Sequence, residues 1–331
     1  SPSIRRGTTH STTPEVAAAP EAAPAAASSP AKAEDGPKII KVEPEEGSAR
    51  GAIVVRDPTA IGQDLRVAHL PDRALIEDSP TGPLPIRAAD GRRPMDVYAR
   101  PWSGARGARV AIVIGGFAIS QTGTQAAIEA LPPEVTIAFS PQGNSIGRWM
   151  QAARQKGHEI LMQVPLEPFD YPNVDPGRNT LTVDAGAAET LKNLHWALSR
   201  TTNYTGVMNF MGARFSADEG AMQTLLSDLG QRGLLYLDDG STARTAAPEV
   251  ALRNGVAFAA SDATIDGTRE RGAILAKLDD LERTARAKGM AIGTGSAFGE
   301  TIEAVTVWAK EARRRGIEIV PVSAVVSDPE R

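Results

Sequence analysis

Between Arg109 and Val326 one pattern recurs: a short apolar run, one or two polar residues, then an amphipathic stretch. The apolar runs read as buried strands and the longer stretches as helices. Strand candidates are Val110–Ile114, Val135–Phe139, Ile160–Val164, Gly206–Met208, Leu234–Leu237, Val256–Ala259, Ala291–Gly293 and Ile317–Val320. Helices are expected over Glu189–Ser199, Ala221–Arg232, Arg269–Lys288 and Thr301–Arg315. Breaks at Gly157, Gly233, Gly255, Gly289 and Gly316 each follow a basic or amide residue, the chemistry of a helix C-terminus returning to a strand. Strands and helices alternating over such short connections imply a parallel sheet. Seven or eight units predict an α/β fold with a closed or nearly closed (β/α) barrel; a doubly wound open sheet is the alternative. In such barrels ligands sit at the carboxyl edge of the strands, so the polar residues leaving each strand decide function.

The rest of the chain is organised differently. Residues 1–47 are dominated by Ala, Pro, Ser and Glu, which cannot bury enough apolar surface to offset ordering entropy; a disordered tether is expected. Its Pro spacing gives a reach on the order of 100 Å. Residues 48–108 hold one strand candidate, Ala52–Val55, and then turn-rich sequence that argues against regular elements. We expect an ordered arm against a main domain over 109–326, with Leu84, Ile86 and Tyr98 as contacts, and a short tail at 327–331. The long connection Pro165–Ala188 carries PLEPFDYPNVDPGRNT and is expected to be a substrate-binding loop. The net charge of -4, without a basic block, offers nucleic acid no footprint. No cysteine is present, which removes disulfides, thiolate metal sites and thiol nucleophiles. No apolar run approaches the roughly 20 residues that cross a bilayer. The chain opens on Ser1 rather than Met, so a processed form is expected, with a signal or anchor removed upstream.

Candidate site residues follow from the strand exits. Gly115 and Gly116 allow either close backbone approach to a ligand or simply a sharp turn. Gln163 and Glu167 leave the third strand, Glu167 as an acid or an acceptor for sugar hydroxyls. Asn209 and Arg214 leave the fourth; Arg214 either clamps an anionic or carbonyl group or pairs with Asp238 or Asp239. Asp238 and Asp239 leave the fifth as the leading acid candidates. Adjacent residues of a strand point oppositely, so one should face the mouth while the other caps the next helix, with Ser241 a further cap. His158 opens its strand at the amino end and is expected to be structural. The histidines offer neither a Ser-His-Asp triad nor a metal-ligand spacing.

Together the segments VAIVIGGFA, LPPEVTIAFSP, GHEILMQVPLEPFDYP, GVMNFMGARF, GLLYLDDGS and AIGTGSAF resemble, in order and spacing, the divergent polysaccharide deacetylases of bacterial envelopes, over about residues 50–326. The resemblance implies a NodB-like fold, a distorted, incomplete (β/α) barrel of seven or eight units. It also implies removal of acetyl groups with a divalent metal, usually zinc, that polarises the carbonyl and activates water. Where the family commonly carries two aspartates this chain has Gly115 and Gly116; where histidines are common it has Phe210 and Ser296, and a third can stand at Gln163. Zinc is therefore typical of the family, but its ligands are not evident, and no cofactor is expected. Glu159, Glu167, Asn209, Arg214, Asp238 and Asp239 remain.

Three functions are consistent with this set. One is a deacetylase-like envelope protein that binds an acetylated glycan or cell-wall fragment, with its metal chemistry lost or altered. Another is a hydrolase rebuilt on Asp238 or Asp239 and Glu167 around a water, with Asn209 or Arg214 as oxyanion donor. The alternative is a non-enzymatic scaffold that binds an envelope protein through its arm or Pro-rich loop. The family and the tether place each in the periplasm or cell envelope, held at the inner membrane from upstream.

Overall fold

The computed structural model describes residues 62–331. The tether at 1–47 and the strand candidate Ala52–Val55 lie outside the described residues. The central sheet is parallel and begins with β3 (Arg109–Phe117), flanked on one side by β4 (Thr136–Phe139), β5 (Ile160–Leu166), β6 (Gly206–Met211), β7 (Leu235–Asp238) and β8 (Phe258–Ala260). On its other side lie β10 (Met290–Ser296) and β9 (Ala263–Thr264). Although β8 and β9 end the strand order, only Ser261 and Asp262 join them. Ser261 N–H donates to the Asp238 carbonyl of β7 and Asp262 N–H to the Ile292 carbonyl of β10, each at 2.8 Å. One bent segment thus bridges the two edges, and the sheet curls into a distorted, incomplete barrel. The two-residue strand β9 escapes recognition in the sequence because it continues β8 with no turn between them.

Strand alternation sorts the core. Along β3, Val110, Ile112 and Ile114 face the helices, while Ala111 and Val113 face the barrel interior with Ala138, Leu161, Met208, Leu235, Leu237 and Ile292. Small residues such as Ala111, Ala138, Ala257 and Ala259 suit the narrow lumen. The helices α2 (Gln121–Ala130), α3 (Ile146–Lys156), α4 (Gly186–Leu198), α6 (Glu219–Arg232), α7 (Ala247–Arg253), α8 (Arg271–Lys288) and α9 (Gly299–Arg314) surround the sheet. Strand β11 (Glu318–Ile319) pairs with Arg109 and Val110, the part of β3 that lies before its ladder with β4 begins.

The arm is more regular than its Pro and Gly content suggests. A hairpin forms from β1 (Ile76–Ser79) and β2 (Gly82–Pro85), followed by the one-turn helix α1 (Pro94–Val97). Prolines are tolerated in β2 because it has one partner strand and needs no second set of donors. Leu84 joins the outer core and Tyr98 is buried with Leu75, Ala88 and Val97. Met95 of α1, with Val320, Val322 and Val325, closes the interior core. Polar ties hold this closure. Arg93 meets Asp96 at 2.7 Å, Asp328 at 2.6 Å and Glu330 at 2.8 Å, so residues 327–331 are bound to the arm. Fully buried Glu159 accepts from Arg100 N–H and from Ser323, and Arg154 donates to the carbonyls of Ala68, Tyr98 and His158.

Candidate functional site

At the carboxyl edge the chain builds three polar groups. The first lies on β3, β5 and β10. Four residues of β3, Ile114 to Phe117, lie against three of β4, Ile137 to Phe139, so Gly115-Gly116 form a bulge. Gly116 takes φ 79°, the left-handed region that favours glycine. Its N–H, turned away from the ladder, donates to Gln163 Oε1 at 2.8 Å. Gly115 is needed for a different reason: a Cβ there would lie 2.5 Å from Gln163 Nε2 and 2.9 Å from its Cδ. The Gln163 amide therefore fills the space that a side chain at 115 would take. Ser296 pairs with Gly115 in the ladder, and Ala297 N–H donates to the Gly115 carbonyl.

The second group lies on β6 and β7, whose ladder ends at Met208 and Leu237. Beyond it the Asn209 side chain continues the pairing. Its Oδ1 accepts from Asp239 N–H at 2.8 Å, and its Nδ2 donates to Asp239 Oδ1 and the Met211 carbonyl, both at 2.9 Å. The chain then bends through Met211 and Gly212 into α5 (Ala213–Ala217). A Cβ at Gly212 would lie 2.3 Å from Leu166 Cβ, so only glycine permits this approach. Asp239 continues the inward row of Leu235 and Leu237. Its Oδ1 also accepts from Ser241 N–H, while its Oδ2 has no partner among the described residues. Asp238 points the other way. Buried, it accepts from Gly240 N–H and the Thr245 hydroxyl, and burial raises its carboxyl above the ordinary range against the pull of those bonds. Neither Asp238 nor Ser241 caps α7 directly; Thr245 Oγ1 accepts from Ala247 N–H there.

The third group joins Glu167 to Arg214 at 2.8 Å and Arg214 to Asp184 at 3.2 Å. Arg214 therefore pairs with neither Asp238 nor Asp239. The other Glu167 oxygen accepts from Val183 N–H, so one oxygen holds the Pro-rich connection and the other holds Arg214, which itself pairs with Asp184 of that connection. That connection leaves Phe169 and Val174 exposed. Phe210, two residues beyond inward-facing Met208, is 38% exposed at the end of β6.

His158 is buried far from this edge; its Nδ1 lies 2.7 Å from the Val135 carbonyl, and burial pushes its pKa down to about 4. Asp266, just past β9, belongs to no motif in the sequence. Its Oδ2 accepts from Ser296 N–H and the Thr301 hydroxyl, each at 2.8 Å, fixing the end of β10. The only local signal was a lone acid after apolar Ile265.

Residues 112–326 match the divergent polysaccharide deacetylase family. The chain belongs to that family. An uncharacterized Haemophilus influenzae protein is 26% identical over 177 residues, 54% of this chain and 62% of the relative, so the chain spans less than two thirds of that protein. The uncharacterized Escherichia coli protein YibQ is 22% identical over 222 residues, covering 67% of this chain and 68% of its own length. The crystal structure of uncharacterized protein ATU2773 from Agrobacterium tumefaciens C58 is similar with a TM-score of 0.73 and 54% identity, over 74% of this chain and 100% of that one.

Deacetylases of this family are typically metal-dependent. The residues at this mouth do not fit a metal. The space beside Gly115 holds the Gln163 amide, and Phe210 and Ser296 supply no ligand of the usual kind. Among the described residues no three His, Cys, Asp or Glu side chains gather where they could hold an ion. Among the same residues, no helix is long and apolar enough to cross a membrane.

Proposed function

We propose that this divergent deacetylase binds an acetylated glycan or cell-wall fragment at the barrel mouth and has lost metal-dependent acetyl removal. The Gln163 amide, seated where a side chain at position 115 would project, carries this reading. A carboxylate added there would have to displace the amide and break its bond to Gly116. What the mouth offers instead suits recognition. The free Asp239 Oδ2 can accept from a sugar hydroxyl, Gln163 and Ser296 are polar, and Phe210 presents an apolar ring to a sugar face. Envelope location, with an upstream tether to the inner membrane, belongs to the same proposal and rests on the family and on the Ala/Pro composition of residues 1–47. Exposed Phe169 and Val174 favour a second reading, in which the Pro-rich connection docks an envelope protein.

The test is metal content of the purified protein by mass spectrometry, zinc titration by calorimetry, and acetate release from chitotetraose with and without chelator. The expected result is no stoichiometric zinc and no release. Stoichiometric zinc with chelator-sensitive release would overturn the proposal.

A further inference from the structure

We infer that the Gln163 amide is a specificity determinant: its Nε2 donates to the acyl carbonyl of the bound sugar and so separates acetylated from free-amine glycans. The inference rests on the glycan-binding reading and goes further by naming the group that is read. A backbone N–H can only donate, so the atom that Gln163 turns toward Gly116 N–H is its acceptor, Oε1. That bond fixes the orientation of the amide and sets Nε2 beside Gly115, 2.5 Å from where a Cβ there would lie. No described residue accepts from Nε2, and it is not among the fully enclosed polar atoms that lack a partner. Gln163 is 8% exposed, so this donor sits in a recess and not on open surface.

A recessed donor of fixed direction selects by chemistry. An amide or ester carbonyl completes its hydrogen bond. An ammonium brings donors against a donor and leaves both unpaired. Sites that leave a buried polar group unsatisfied reject the wrong ligand more strongly than shape alone does. The Ser296 hydroxyl, on the strand next to Gly115, can donate or accept and adds no preference of its own. The family's metal polarises the same kind of carbonyl; here a neutral side-chain amide takes over the contact without activating it.

The experiment is calorimetric titration of the full chain with chitotetraose and with its fully de-N-acetylated counterpart, in chelator and at moderate salt. Wild type, Gln163→Glu and Gln163→Leu are compared. In Gln163→Glu one oxygen still accepts from Gly116 N–H, and the other replaces the donor with an acceptor at nearly constant shape. Wild type is expected to favour the acetylated tetramer by about fivefold or more, the range of one hydrogen bond. Gln163→Glu should abolish or reverse the preference in a protein that still unfolds cooperatively, and Gln163→Leu should abolish it. Equal binding of both tetramers by wild type, or a preference that survives in a folded Gln163→Glu, overturns the inference and leaves glycan binding standing. Wild type binding neither tetramer overturns both.

Discussion

Gly115 and Gln163 share one volume, so substitutions at the two positions must not be additive. In Gly115→Ala the new Cβ, 2.5 Å from Gln163 Nε2, forces the amide aside. The backbone at 115 lies outside the left-handed region, so the cost arises from the collision and from the lost Gly116 N–H bond, not from φ. Overpacking of this kind costs about 1–3 kcal/mol, and the bond contributes about 1 kcal/mol of that. Gln163→Ala loses the same bond and opens a small void, at about 1–2 kcal/mol. In the double variant the bond is lost only once, and the methyl introduced at position 115 occupies space the amide has vacated. Its cost should therefore fall below the sum of the single costs by about 1–2 kcal/mol, well outside the few tenths expected for independent sites. Urea unfolding of the four proteins measures the cycle, with unchanged m-values as the check on two-state behaviour. In melting curves each kcal/mol corresponds to about 2–4 °C for a domain of this size. Additive costs would refute the claim that the amide occupies the space of a side chain at 115.

Two further outcomes follow from buried charge. Arg93→Met leaves Asp328, whose side chain is 5% exposed, with only Arg331 at 3.4 Å as a cationic partner, and should cost up to about 3 kcal/mol in urea unfolding while making residues 327–331 susceptible to carboxypeptidase. His158 binds its proton at about 4 in the folded chain against 6.5 for a free side chain, so the unfolded state takes up the proton first as pH falls. The stability of wild type relative to His158→Gln should be constant above about pH 7. It should then decline between pH 6.5 and 4 by up to about 3 kcal/mol. A flat difference across that window would show that His158 is not held neutral by burial.

The repeating units and the helix-ending glycines were legible along the chain, because a strand buried on both faces and a helix carrying one apolar stripe each leave a local period. The family was legible for a related reason: MN-x-MG and the Gln163 segment are short stretches with local structural duties, Asn209 extending a ladder and Gly212 admitting Leu166. Other features depended on partners distant in sequence. Nothing local shows that Gln163 fills the space beside Gly115, that Glu167 is spent on Arg214, or that Asp239 faces inward while Asp238 turns outward to Thr245. Nor does it show that Asp266 holds Ser296, or that Ser261 and Asp262 bridge the two edges of the sheet. Sequence periodicity by itself determined which segments form strands and helices and which polar residues follow each strand. Only the tertiary structure decided which of their polar atoms are spent on one another and which remain for a ligand, because a hydrogen bond is satisfied by closeness in space and leaves no period along the chain.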